Sequence, residues 1–225
     1  MYFLTIDTSD RSVVGVASEE LGTVTELSRE VSEDSRHHAE TLAPMAATAL
    51  SAAGIEKPDA VIAGTGPAAF TGLRAGLMTA RALARGWDVP LYGVSSLEVL
   101  ALGGARLGFN EVLSVIDARR KELFVLRARP MAGDDVAVIS GPEIVSPADL
   151  PGLLERAEAG LVTSNPGLYP ELAQAELVQC APALMTSLAL SHLTRREAGE
   201  TIDLGTEPQY LRRPDIHGSG AQPNV

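Results

Sequence analysis

Two apolar runs that end alike, each opening a similar series of elements, constrain this chain more than any other feature of its sequence. The first occupies residues 2–8 and carries Ile6-Asp7; the second occupies 112–117 and ends at Ile116-Asp117. A short apolar run bounded by turn residues reads as a buried strand. After the first run come a strand at 13–17 and an alternating strand at 23–31, with turn signals at Ser9-Asp10 and near Gly22. That spacing predicts an antiparallel meander. A helix over 36–53 follows, with Gly54 as its C-terminal cap and Pro44 expected to kink it. Then come a strand at 60–63, a helix over 71–86 capped by Thr71, a strand at 91–94 and a helix from Ser95 to Gly103-Gly104. The second run is followed by strands at 123–128 and 136–139, the latter extending toward Val145. A helix over 148–159, a strand at 161–164 and a helix over 185–197 complete the series. Two β-β-β-α-β-α units in one chain predict an α/β protein with a duplicated ribonuclease-H-like architecture. The expected division is 1–104 for the first unit, 105–205 for a smaller second one, and a partly disordered tail over 206–225, rich in Gly, Pro, Ser and Asn from residue 214.

Charge narrows the function classes. A net charge of -11 and a pI near 4.8 exclude non-specific binding of a nucleic acid backbone, which needs Lys and Arg to neutralise phosphates. An acidic chain reaches RNA only through a basic partner. The hydrophobic fraction of 45% suffices for a core, and an aromatic content of 4% with abundant Ala points to closely packed helices. The single Cys180 allows no intrachain disulfide, the start Met1-Tyr2-Phe3-Leu4 has no basic leader character, and no long apolar run spans a membrane. A cytoplasmic protein is the expectation.

The segment Gly64-Thr65-Gly66-Pro67-Ala68-Ala69-Phe70-Thr71-Gly72-Leu73-Arg74 leaves a strand and opens a helix, where free N–H groups can meet an anion. It is not a P-loop, because Leu73-Arg74 stands where Lys and Ser or Thr are required. Gly64, Gly66 and Ala69 fit a dinucleotide spacing, but the loop follows the fourth strand instead of the first and no acid ends the next strand. On the residues alone it reads as a tight turn into a closely packed helix.

The remaining polar residues give no catalytic constellation. His37 and Glu40 share a helix face, but His38 is followed at i+3 and i+4 by Thr41 and Leu42, and His192 and His217 stand apart, so no metal site is expected. Asp7 and Thr8 at the end of the first run, and Asp117 and Arg119 at the end of the second, are candidates for nucleotide contact, or else turn anchors. Cys180 reads as structural. Arg74, Met78, Arg81 and Arg85 recur at helical spacing as a basic stripe, either a solvated face or a dock for an acidic partner.

Several segments resemble the TsaB family: Leu4-Thr5-Ile6-Asp7-Thr8-Ser9, the stretch from Arg36-His37-His38 to Pro44, the loop from Gly64 to Arg74, Leu91-Tyr92-Gly93-Val94-Ser95-Ser96-Leu97, the stretch from Ile116-Asp117-Ala118-Arg119 to Glu122, and Glu207-Pro208-Gln209-Tyr210-Leu211-Arg212. One departure is Ala68-Ala69, where the family usually has Gly-Ser. The resemblance implies the actin and sugar-kinase (ASKHA) fold. It also implies a non-catalytic role beside TsaD, which transfers the threonylcarbamoyl group to a tRNA adenosine beside the anticodon. It further implies cooperation with TsaE, homodimers in the absence of TsaD, and contact with tRNA only through the complex. TsaD binds metal through histidines at i and i+4; here Leu42 stands four residues after His38. No cofactor of its own is implied, only ATP or ADP at the interface with its partner. A four-helix interface is expected from the first two helices, using His38, Ala39, Leu42, Met45, Ala46, Ala49, Leu73, Gly76, Leu77 and Arg81. The competing readings are an active small-molecule kinase or ATPase of the same fold, and a metallopeptidase that lacks ligands.

Overall fold

The computed structural model describes residues 1–32, 38–157 and 159–211, and leaves out the side chains of 38, 39, 156 and 157. The first meander is β1 (Tyr2–Asp7), β2 (Val13–Glu20) and β3 (Thr23–Val31). It is followed by α1 (His38–Ala53), β4 (Ala60–Gly64), α2 (Phe70–Trp87), β5 (Leu91–Val94) and α3 (Ser96–Arg106). The second is β6 (Val112–Arg119), β7 (Glu122–Met131) and β8 (Asp135–Val145), then α4 (Leu150–Ala157), β9 (Gly160–Thr163), β10 (Glu176–Leu177) and α5 (Pro182–Glu197). The sheets run β3-β2-β1-β4-β5 and β8-β7-β6-β9-β10, with β4 parallel to β1 and β9 parallel to β6. This is one five-stranded design used twice. The register places Asp7 opposite Val13 and Asp117 opposite Leu123, so the two carboxylates hold equivalent positions.

The layers are less separable than the strands. Leu4, Ile6, Val14 and Val16 on the outer face of the first sheet pack against Leu42, Ala46, Leu73, Leu77 and Ala80 of α1 and α2. Leu113, Val115, Leu123 and Val125 on the outer face of the second pack against Leu150. Between the sheets, Leu97, Leu100 and Leu102 of α3 and Met185 and Leu188 of α5 share one core with Phe3, Ile62, Ile116, Phe124 and Leu126. The order is helix, sheet, helix, sheet, helix. Helix α3, from the first repeat, packs on β6 and β7, whereas α5, from the second, packs on β2 and β3. The expected cut between 104 and 105 therefore divides the sequence repeat but crosses a shared core. Each side chain fully buried there contributes about 1.5–3 kcal/mol, and much of that burial is between the halves.

Element boundaries moved for local reasons. Helix α1 runs through Pro44 without interruption; Pro44 is on the exposed side, where water can meet the carbonyl that it leaves unpaired. The expected start of α1 at Arg36 lies outside the described residues. Helix α2 begins at Phe70 with Ala69 at its N-cap and no side-chain cap bond, so Thr71 is not the cap. Ser146 instead caps a 3-10 turn at Pro147–Asp149, accepting from the Ala148 amide at 3.3 Å. Pro182 opens α5 three residues before the predicted start, as a ring that needs no amide partner in the first turn. The expected tail beginning at 206 is fixed through Leu211, and the rest lies outside the described residues.

Candidate functional site

The expected nucleotide contacts lie at the ends of β1 and β6. Asp7, at the end of β1, is only 2% exposed. One carboxylate oxygen accepts from the Ser9 amide at 2.9 Å and the Ser9 hydroxyl at 2.5 Å; the other accepts from the Ser96 hydroxyl at 2.5 Å. Burial raises its proton affinity, and these bonds only partly oppose it. Thr8 is equally enclosed and donates to the Gly72 carbonyl at 2.9 Å. A cavity of about 250 Å³ lies beside Asp7, walled by Asp10, Arg11, Ser164, Gln179 and Cys180 among others. The Ser164 hydroxyl donates to Asp10 at 3.0 Å across the two repeats. Cys180 is buried; burial first, and Asp7 second, push its thiol well above the ordinary range, the opposite of an activated nucleophile. Asp117 and Arg119 pair with each other at 3.1 Å and are not among the described walls of that cavity. Of the four expected nucleotide contacts, Asp7 and Thr8 are thus committed to the fold.

The glycine-rich segment is held as a turn. Gly66 takes φ +87°, where a side chain would be strained, and its carbonyl accepts from the Ser96 amide at 2.9 Å. The Thr65 amide donates to the Val94 carbonyl at 2.8 Å. Pro67 and Ala68 are buried. The C-terminal segment then straps across this turn. The Gln209 amide donates to the Thr65 carbonyl at 2.9 Å, and the Gln209 side chain to the Thr65 hydroxyl at 3.2 Å. The Gly93 amide donates to the Leu204 carbonyl at 2.8 Å. Arg81 meets the Thr206 carbonyl at 2.7 Å and Glu207 at 2.9 Å. Tyr210 stacks on Phe70 with ring centroids 4.9 Å apart. Glu207 to Tyr210 were legible only as a resembling segment, because nothing local says what they bind.

The expected partner seam requires correction. Leu42, Ala46, Ala49, Leu73, Gly76 and Leu77 are buried in this chain's own outer core, because they form the stripe that α1 and α2 need against the first sheet. Arg81 is engaged by the strap. Met45 is half-buried, and the side chains of His38 and Ala39 lie outside the described residues. The exposed residues of α1 and α2 include Glu40, Ala43, Pro44, Ala47, Thr48, Ser51, Ala52, Thr71, Arg74, Met78, Ala82, Arg85 and Gly86, with Met78 at 60% exposure. This is a face of small side chains with one large apolar residue, two cations and one carboxylate, Glu40.

A second cavity, of about 500 Å³, borders α5, β8 and the strap. Two of its lining residues, His192 and Arg195, meet the buried Asp135. Asp135, 1% exposed, accepts from Arg195 at 2.8 Å and from the Ser191 hydroxyl at 2.9 Å, with His192 at 3.3 Å. Burial would raise the Asp135 carboxyl, but the bonds from His192, Arg195 and the Val136 amide outweigh it and hold it below the usual range. Among the described residues, no group of three His, Cys, Asp or Glu lies together as a metal site, and no helix is long and apolar enough to cross a membrane.

Comparison with known proteins fits this geometry. Residues 30–165 match the family model described as "TsaD: tRNA N6-adenosine threonylcarbamoyltransferase". A protein of Haemophilus influenzae named "tRNA threonylcarbamoyladenosine biosynthesis protein TsaB" is 30% identical over 190 residues, covering 79% of this chain and 80% of its own length. A Mycobacterium tuberculosis protein described as uncharacterized is 36% identical over 191 residues, covering 84% of this chain and 82% of that one. The solved structure of YeaZ from Pseudomonas aeruginosa shares the fold at a TM-score of 0.68 and 24% identity, over 93% of this chain and 99% of that one. The chain belongs to the TsaD family and, within it, to the TsaB (YeaZ-like) proteins.

Proposed function

We propose that this chain is a non-catalytic partner of TsaD in the biosynthesis of threonylcarbamoyladenosine on tRNA, acting in the cytoplasm. The relatives named for that pathway support the pathway. The observation that carries the non-catalytic part is Asp7: the acid at the end of the first repeat is 2% exposed and accepts three hydrogen bonds from Ser9 and Ser96, so it serves the fold. The outward face of α1 and α2 supplies the docking surface, with its small side chains allowing two partner helices to approach closely. A charge of -11 means that tRNA is met through the complex. TsaE and a second copy of this chain are further partners under this reading, and ATP or ADP belongs to the interface with TsaD.

The test is co-purification with the TsaD of the same organism, read by size-exclusion chromatography with light scattering and by modified tRNA. A stable heteromer that forms product only with both chains present is the expected result. Two folded proteins that do not associate would overturn the proposal, and ATP turnover by this chain alone would then favour an active kinase or ATPase.

A further inference from the structure

Arg74 sits on the first turn of α2 in an arrangement that its neighbours impose. Its guanidinium carbon lies 3.8 Å from the centroid of the Phe70 ring and 5.7 Å from that of Tyr210. Its Nε donates to the Tyr210 hydroxyl at 2.7 Å. The Phe70 and Tyr210 rings are themselves stacked at an interplanar angle of 28°. The side chain is exposed, yet three contacts fix the plane of its guanidinium. Among the described residues Arg74 makes no ion pair, and Tyr210 is its only hydrogen-bond acceptor, so both terminal amino groups remain available. Arg81, one helical face along, is by contrast consumed by Thr206 and Glu207.

On a chain of net charge -11, an exposed cation that makes no ion pair among the described residues, beside Met78 and the small residues of the α1–α2 face, is open to a carboxylate of another molecule. A planar guanidinium offers two parallel N–H donors and matches a carboxylate bidentately. Holding it in advance removes the rotamer entropy that an exposed arginine would otherwise lose on binding. We propose that Arg74 is the receptor for a carboxylate side chain of the protein that docks on α1 and α2, and that Phe70 and Tyr210 are its positioning residues. The proposal rests on the partner reading above. A protein carboxylate fits better than a nucleic acid phosphate, because the chain's net charge of -11 repels a polyanion while the apolar neighbours favour a protein face.

The experiment is titration of the TsaD of the same organism with wild-type chain and with Arg74→Lys, Arg74→Ala, Tyr210→Phe and the double variant, by calorimetry at two salt concentrations. Arg74→Ala should weaken binding about 10- to 100-fold, and Arg74→Lys by nearly as much because it keeps the charge but loses the fork. Tyr210→Phe keeps the ring but removes the acceptor, and should weaken binding about 3- to 10-fold. In the Arg74→Ala background the Tyr210→Phe effect should vanish, whereas additive effects would make Tyr210 merely structural and overturn its role. Melting temperatures of all variants should stay near that of wild type. Wild-type chain that fails to bind would sink the partner reading itself. Wild-type binding with unchanged affinity for Arg74→Ala would sink only the carboxylate receptor, as would a loss confined to tRNA contact or to the homodimer.

Discussion

Replacing Gly76 with alanine separates the two meanings that a small residue on α2 can have. If Gly76 permits a partner helix to approach, an added methyl weakens association and leaves the fold alone, or even stabilises it, since alanine is favoured over glycine in a helix by about 1 kcal/mol. The structure assigns the other meaning. A Cβ at Gly76 would lie 2.4 Å from the Thr8 hydroxyl oxygen and 3.0 Å from its methyl carbon. Thr8 cannot move aside freely, because it is 3% exposed and its hydroxyl donates to the Gly72 carbonyl at 2.9 Å. Overpacking of this kind costs about 1–3 kcal/mol, and rotating Thr8 away forfeits a hydrogen bond worth about 1 kcal/mol. Against the helix gain of about 1 kcal/mol, the net cost is about 1–3 kcal/mol, which for a chain of this size lowers the melting temperature by about 3–10 °C.

Calorimetry or circular dichroism melts of Gly76→Ala, Thr8→Ala and the double variant measure this directly. In the Thr8→Ala background the hydroxyl is gone and the nearest remaining atom of residue 8 is its Cβ, at 3.3 Å. The Gly76→Ala cost should then shrink by about 1 kcal/mol or more, a coupling outside the range expected for independent sites. A melting temperature that rises in Gly76→Ala, or costs that simply add, would refute the packing argument and return Gly76 to the partner seam.

Three further outcomes follow from the same geometry. Asp7→Asn should fold and support tRNA product like wild type, since its oxygen still accepts from Ser9 and its amide can meet Ser96, whereas Asp7→Ala strands three donors and costs about 2–4 kcal/mol in urea melts. Because burial raises the Asp7 carboxyl above its ordinary value, ionisation costs stability as pH rises through the folded value, so the stability of Asp7→Asn relative to wild type should increase with pH across that window. Asp135→Ala should cost about 3–5 kcal/mol at pH 7 by leaving Arg195 and His192 without their shared partner; since that carboxyl is held below the ordinary range, its contribution is present above about pH 4 and the deficit should narrow in more acid solution. Ala46→Glu should fail to fold stably, while the adjacent Ala47→Glu should keep its melting temperature and lose TsaD association on a chromatography column.

The repeat was legible because its signals are local. Apolar runs ending at Asp7 and Asp117, turn residues near Gly22 and a glycine closing α1 each report on their own neighbourhood, and together they specify two sheets of one design. Strand β10 was not legible because two residues, Glu176 and Leu177, both exposed, carry no periodicity. The exchange of α3 and α5 between repeats was hidden for another reason: both have apolar faces, and a face does not say which sheet will cover it. The partner seam failed on the same point. Periodicity finds the apolar stripe of α2, namely Leu73, Gly76, Leu77, Ala80 and Ala84, and that stripe belongs to the chain's own sheet. An outward face carrying Ala43, Ala47 and Ala82 is too weakly hydrophobic to be told from solvated surface.

Glycines before a helix can cradle a phosphate, but on its residues the glycine-rich segment reads as a tight turn into a closely packed helix. Its groups hold three parts of the molecule together. Ser96 donates its amide to Gly66 and its hydroxyl to Asp7, tying the turn to the cleft. Thr65 receives Gln209, tying it to the strap. Phe70 and Arg74 take up Tyr210, tying the strap to the first turn of α2. Within this arrangement Ala68 and Ala69 lose little relative to Gly and Ser, since Ala68 is buried in the outer core and the N-cap at Ala69 needs no side-chain bond to start the helix. The segment's work is mechanical: it sets the position of α2, and with it the exposed face and the Arg74 guanidinium, from contacts that reach both the cleft and the C-terminal segment.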